Sequence, residues 1–305
     1  MPPSLSPEFR ALSRSMPYAR PLFCLAAPLQ GLLLACVPVP KGLCARTIAI
    51  KRANGRPLRA EVFAPKGPGA PRPCLLFFHG GGFGYRAAPH HKQLALRLAN
   101  DLGCVVVCPR YRRLPRHPFP AAKEDALAAY RFVCARAKEL GADAQKIAVL
   151  GDSAGGALAA YAAAHDWGNS PRPCAQVLLY PVADALQSSP SLRRLARAPM
   201  WNTGNNAHMW AWYLQGCTEA QKREASPLTM PLCPPPPPAY VEVAECDCLR
   251  GEGLRFAGRL KALGGAVTVH EVSGAPHGFD LLQNAPATKD ALHRRMAFLN
   301  SVWAT

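Results

Sequence analysis

Ile147-Ala148-Val149-Leu150-Gly151-Asp152-Ser153-Ala154-Gly155-Gly156-Ala157-Leu158 is the stretch from which the rest of the chain can be read. Its first four residues are apolar and predict a short buried strand. The Ala-rich run Ala157–Ala164 that follows predicts a helix. Between them stands Gly151-Asp152-Ser153-Ala154-Gly155, a Gly-x-Ser-x-Gly motif in the strand–turn–helix setting of a nucleophile elbow. A sharp turn there presents the serine hydroxyl in a strained backbone conformation, and side chains at the flanking positions would clash. The helix start then turns the free N–H of Ala154 toward developing negative charge. The motif alone also occurs as a Gly-rich turn with an incidental serine, so a second signal is required.

That signal is Leu75-Leu76-Phe77-Phe78-His79-Gly80-Gly81-Gly82-Phe83. An apolar strand ends and releases into three glycines, which cost backbone entropy unless the backbone has a task. Attack on an ester passes through a tetrahedral oxyanion, and each donor aimed at it is worth about 3 kcal/mol. The N–H groups of Gly81, Gly82 and Ala154 are the expected donors. His79 and Gly80 are expected to hold the loop, and Asp152 to support or position. A merely flexible loop is the alternative reading. Two such signals, each at the end of a strand, argue against it.

A serine hydroxyl needs a base, and the base needs an orienting carboxylate. His277, in Ala275-Pro276-His277-Gly278-Phe279, follows the candidate strand 267–272. Asp247, in Glu245-Cys246-Asp247-Cys248, follows the candidate strand 240–244. Strand ends are where open α/β sheets build sites. Glu245 and Asp280 are the nearest competing carboxylates. Phe83, Tyr85, Trp201, Trp210 and Phe279 are candidates for pocket walls or for core packing.

Working outward, strands are predicted at 47–51, 60–63, 74–78, 105–108, 147–150, 176–180, 240–244 and 267–272. Helical patterns lie at about 89–102, 121–140, 154–165, 250–263 and 287–303. This alternation predicts an α/β fold with a mostly parallel central sheet flanked by helices. Residues 187–230 break it and read as an insertion, helical over Asn206–Leu214. Pro234 to Pro238 read as a stiff, extended connector into the next strand.

Net charge is +17, from 36 Lys and Arg against 19 Asp and Glu. Residues 1–60 are the most lopsided, with nine Lys or Arg opposed only by Glu8. No basic helix interleaved with stacking aromatics appears, so no nucleic-acid partner is expected. The twelve cysteines lack zinc-finger spacing and the small, loop-rich setting of a disulfide framework. Buried reduced thiols, and with them a cytoplasmic compartment, are expected. Residues 21–40 carry no charge and have the pattern of an export signal, with Leu33-Leu34-Ala35-Cys36 like a loose lipoprotein cleavage site. Pro28, Pro38 and Pro40 argue against an uninterrupted spanning helix, and no membrane partner is expected. The other reading is a pair of amphipathic helices packed on the protein.

On its motifs the chain resembles the hormone-sensitive-lipase-like family of bacterial carboxylesterases within the α/β-hydrolases. The residues that carry the resemblance are His79-Gly80-Gly81-Gly82-Phe83, Gly151 through Gly156, Tyr111-Arg112, His117 through Ala122, Leu179-Tyr180-Pro181, Asp247 through Gly253, and Pro276-His277-Gly278-Phe279. The order Ser, Asp, His is the order of that fold. The resemblance implies a serine esterase acting on a small-molecule ester through Ser153, His277 and Asp247, without cofactor or metal. It implies a core over 46–305, with residues 1–45 and 187–230 forming a helical cap, and it leaves a homodimer possible. Two departures stand out. Arg113-Leu114-Pro115-Arg116 replaces the usual Leu-Ala-Pro-Glu, and Gly251-Glu252-Gly253 replaces Asp-Glu-Gly.

Overall fold

The computed structural model describes residues 3–52, 55–67 and 69–304. Eight strands form one sheet: β1 (Leu43–Ile50), β2 (Leu58–Pro65), β3 (Arg72–Phe78), β4 (Val105–Pro109), β5 (Ala142–Asp152), β6 (Ala175–Leu179), β7 (Ala239–Ala244) and β8 (Val267–Val272). Their order is β1-β2-β4-β3-β5-β6-β7-β8. β2 pairs antiparallel with β1 and β4, and every other pairing is parallel. Each expected strand is present. β5 starts earlier than the apolar run predicts, because its leading end carries the polar, partly exposed residues Asp143, Gln145 and Lys146.

The helices are α1 (Arg20–Cys36), α2 (Pro89–Asp101), α3 (Ala121–Ala135), α4 (Ala137–Leu140), α5 (Ala154–Ala164), α6 (Pro190–Arg194), α7 (Thr203–Tyr213), α8 (Glu219–Glu224), α9 (Arg250–Ala262) and α10 (Pro286–Trp303). Strand residues of alternating parity face two separate cores. Cys74, Leu76 and Phe78 belong to the core that includes residues of α3, α5 and α9, while Leu75 and Phe77 belong to the core that includes residues of α2 and α10. Coverage of both faces explains the unbroken apolar run Val105-Val106-Val107, all at most 1% exposed.

Three local expectations differ from what is found. The helix expected over 121–140 is divided between α3 and α4 at Arg136. In place of two amphipathic helices, the N-terminal segment forms a 3₁₀ turn at Pro7–Leu12 and one 17-residue helix, α1, which runs through Pro28. Proline lacks the N–H that would reach the Cys24 carbonyl, but packing compensates. Phe23 is buried and its ring sits 4.9 to 6.0 Å from those of Tyr18, Tyr85 and Trp212. The proline run bends at Pro234-Pro235 before feeding β7. Among the described residues no helix is long and apolar enough to cross a membrane.

The topology decides where a site can lie. From β3 the chain steps outward to β4, then crosses back to β5 on the other side of β3, which makes a switch point at their carboxyl ends. The register Phe78↔Gly151 sets the glycine loop directly beside the serine turn. On the same edge, Ala244↔Val272 brings the loops after β7 and β8 together.

Candidate active site

Ser153 adopts φ 54° and ψ −121°, a left-handed conformation that a non-glycine residue holds only under restraint. The restraint is visible. Its N–H donates to Leu179 O at 2.9 Å, and its carbonyl accepts from Gly156 at 2.9 Å and Val182 at 3.0 Å. The glycines on either side are compulsory: a Cβ at Gly151 would lie 2.0 Å from Gly155 O, and one at Gly155 would lie 2.0 Å from Phe78 O.

His277 Nε2 lies 2.8 Å from Ser153 Oγ, and His277 Nδ1 lies 2.7 Å from Asp247 Oδ2. An Nδ1–H donated to the carboxylate leaves Nε2 as acceptor for the serine hydroxyl. Asp247 is fully buried, and its other oxygen accepts the Leu249 N–H at 2.9 Å. The rings of Tyr180 and Trp201 stand 5.0 and 5.9 Å from the imidazole. The competing carboxylates are engaged elsewhere. Glu245 accepts from Ser273 Oγ and the Gly274 N–H, both at 2.8 Å, on the exposed side of the loop. Asp280 accepts from Tyr180 Oη at 2.8 Å and pairs with buried Arg295 at 3.1 Å. Arg295 also binds Glu242.

Gly81 and Gly82 have φ of 107° and 59°. Among the described residues, the N–H groups of Gly81, Gly82 and Ala154 have no acceptor. Gly81, Gly82 and Ser153 face one cavity of about 420 Å³, which His277 also lines. The loop is anchored from two sides. Gly80 N–H donates to Asp152 Oδ1 at 2.9 Å, and Tyr18 Oη donates to Gly82 O at 2.5 Å. Asp152 Oδ2 lies 3.2 Å from His91 Nε2. Since His91 Nδ1 accepts the Ala88 N–H at 2.9 Å, Nε2 carries the hydrogen and donates. Burial works against the charge of Asp152, but His91, with His90 and His79 behind it, more than offsets this and holds its pKa below the ordinary carboxylate value. His79 does no visible chemistry. It bonds Gly80 O at 2.7 Å, stacks on Tyr111, and burial pushes its pKa down to about 3.

Of the five aromatic wall candidates, Tyr85 and Trp201 line the cavity. Phe83, Trp210 and Phe279 pack in the core instead, each at most 1% exposed. Tyr18 was not among the residues singled out by sequence. It lies in a segment with no motif, and only its distance in space from Gly82 reveals it. Residue 251 is explained by packing: a Cβ there would meet Ser189 Oγ at 2.1 Å.

With this geometry in view, the alpha/beta hydrolase fold family matches residues 75–281, from β3 to just past His277. The chain belongs to that family. Among relatives of this hydrolase, an esterase LipI from Mycobacterium tuberculosis is 37% identical over 76% of the chain and 74% of its own length. An ethyl acetate hydrolase from Pseudomonas putida is 32% identical over 77% and 76%. Among solved structures, the esterase LipW from Mycobacterium marinum superposes with a TM-score of 0.86 at 27% identity, covering 99% of this chain and 96% of that one.

Proposed function

We propose that this α/β-hydrolase is a serine carboxylesterase that cleaves small esters in two acyl-transfer steps. The observation that carries the reading is the continuous hydrogen-bonded relay Ser153–His277–Asp247, opening on a cavity lined by Gly81 and Gly82, with the N–H groups of these two and of Ala154 unspent among the described residues. His277 Nε2 takes the hydroxyl proton as Ser153 Oγ attacks the ester carbonyl, and Asp247 stabilises the resulting imidazolium. The oxyanion is received by Gly81, Gly82 and Ala154. Collapse expels the alcohol with the proton from His277, leaving an acyl-serine. Water then gives a proton to His277 as it attacks the acyl carbon, and collapse breaks the bond to Ser153 Oγ, which takes that proton back from His277 as the acid leaves.

The cavity volume of about 420 Å³ and its mostly apolar walls suit short- to medium-chain acyl groups. α1 supports the cap role proposed for residues 1–45, since Leu22, Ala26 and Gln30 wall the cavity. Met200 and Trp201 do the same for 187–230. All twelve cysteines are unpaired, which supports a reducing compartment. They are not mainly buried thiols, however: Cys74, Cys104, Cys246 and Cys248 are buried, five are intermediate, and Cys24, Cys36 and Cys44 are exposed.

A panel of nitrophenyl esters of increasing acyl length, assayed with wild type and Ser153→Ala, tests the reading. Turnover is expected to peak at short to medium chains and to vanish in the variant. Equal rates for the two proteins would overturn it.

A further inference from the structure

A second chamber of about 280 Å³ is lined by His79, at the start of the glycine loop, and Ser153 is not among its lining residues. Arg86, Arg110 and Arg113 line it against a single carboxylate, Glu61. Glu61 is already committed to Arg110, at 2.9 Å. Burial lowers the pKa of Arg113. Among the described residues its one hydrogen bond is a long donation from Nη1 to Gly84 O at 3.3 Å. Among the described residues no carboxylate is within ion-pair distance of Arg86 or Arg113. Arg86 is exposed and Arg113 half-buried, so water reaches both guanidinium groups, and an anion held between them would offset the cost of leaving Arg113 without a counter-charge.

The chamber is coupled to the reaction cavity by Arg86, which lines both. α1 roofs the two in succession. Leu22, Ala26 and Gln30 cover the reaction cavity, and Gly31, Leu34 and Ala35 cover the arginine chamber. At 1.5 Å per residue the centres of those two sets are offset by about 10 Å along the helix.

We propose that the chamber is an anion subsite, in which Arg113 and Arg86 bind a carboxylate or phosphate carried at the far end of the ester undergoing cleavage. A guanidinium fork matches either group bidentately. The proposal rests on the esterase reading and extends it to a substrate class: esters whose acyl or alcohol arm ends in an anionic oxygen group.

The test compares nitrophenyl esters of equal chain length ending in methyl, carboxylate or phosphate. Wild type should favour at least one anionic ester over the methyl-ended one in kcat/KM, and the favoured ester shows which anion the subsite takes. Arg113→Leu should cut that ratio by about tenfold, mainly through KM, because a charge-assisted bond made equally in ground and transition states is lost. Arg113→Lys should recover part of it. Arg116→Leu removes the same charge from an exposed position and should leave the ratio as in wild type. Because each variant is scored by a ratio of substrates, a loss of folded protein cancels. An anionic preference that is absent, or unaltered in Arg113→Leu, or reduced as much by Arg116→Leu, overturns the subsite while leaving the esterase intact. Hydrolysis that persists in Ser153→Ala would instead overturn the esterase reading itself.

Discussion

Asp152 is next to Ser153, the proposed nucleophile, in sequence, yet its carboxylate is turned to the glycine loop, and Asp152→Ala isolates that role. The substitution strands two buried donors, the Gly80 N–H at 2.9 Å and His91 Nε2–H at 3.2 Å. Each unsatisfied donor costs about 1–3 kcal/mol. Relief of a buried charge returns part of this, so a net loss of about 2–4 kcal/mol is expected. For a chain of this size each kcal/mol lowers the melting temperature by about 2 °C, giving a fall of roughly 4–8 °C. The kinetic effect is separate. Gly80 is held against Asp152 so closely that a Cβ on it would lie 2.2 Å from Oδ2, and this contact fixes the next two N–H groups in space. Displacing one oxyanion donor lowers kcat by about a hundredfold. Asp152→Asn keeps an oxygen for Gly80 and should recover most of kcat but less of the stability. The assay is kcat on a short nitrophenyl ester beside a thermal melt of each variant. A kcat for Asp152→Ala within twofold of wild type would refute the positioning role, whatever the melt shows.

Arg295→Met removes the buried guanidinium shared by Glu242 and Asp280 and leaves two carboxylates without their cation. A loss of about 3–5 kcal/mol is expected, read from the urea midpoint, and an unshifted midpoint would contradict it. Acid should destabilise the protein through its buried imidazoles. His79 is held neutral down to about pH 3, whereas in the unfolded chain it takes up a proton below about 6.5. The unfolded state therefore binds more protons across that window, and stability falls as pH drops from 6.5, by about 1.4 kcal/mol per unit for this residue. The depressed Asp152 adds a loss lower down, as pH falls through its folded pKa. Urea midpoints between pH 7 and 4.5 should trace this slope, and His79→Asn should flatten it; a slope unchanged in His79→Asn would reject the assignment.

What sequence revealed and what it hid divide along physical lines. The inner strands were legible because burial on both faces writes continuous apolar runs, as in Val105-Val106-Val107, and the largely exposed edge strands β1 and β8 through β-branched residues such as Thr47, Ile48, Val267 and Val269. The motif residues at strand ends were legible because tight turns admit few side chains, as the 2.0 Å approaches at Gly151 and Gly155 show. Hidden were interactions made only by the folded chain. α1 continues through Pro28 because aromatic packing of Phe23 outweighs one absent hydrogen bond. Glu245, Asp247 and Asp280 are similar acids in sequence, and only their partners separate them. The Arg295–Glu242 pair joins residues 53 apart; an acid inside the apolar strand Tyr240-Val241-Glu242-Val243-Ala244 was the one local sign that a cation is required.

The bond from Tyr18 to the Gly82 carbonyl ties the arm ahead of the sheet to the loop proposed to receive negative charge. The same arm continues into the helix that roofs both chambers. On the proposed mechanism, selectivity and speed are therefore not independent variables in this protein. An exchange of the arm that admits a bulkier ester also loosens a strut behind the reaction centre, and breadth of diet is gained at the expense of rate.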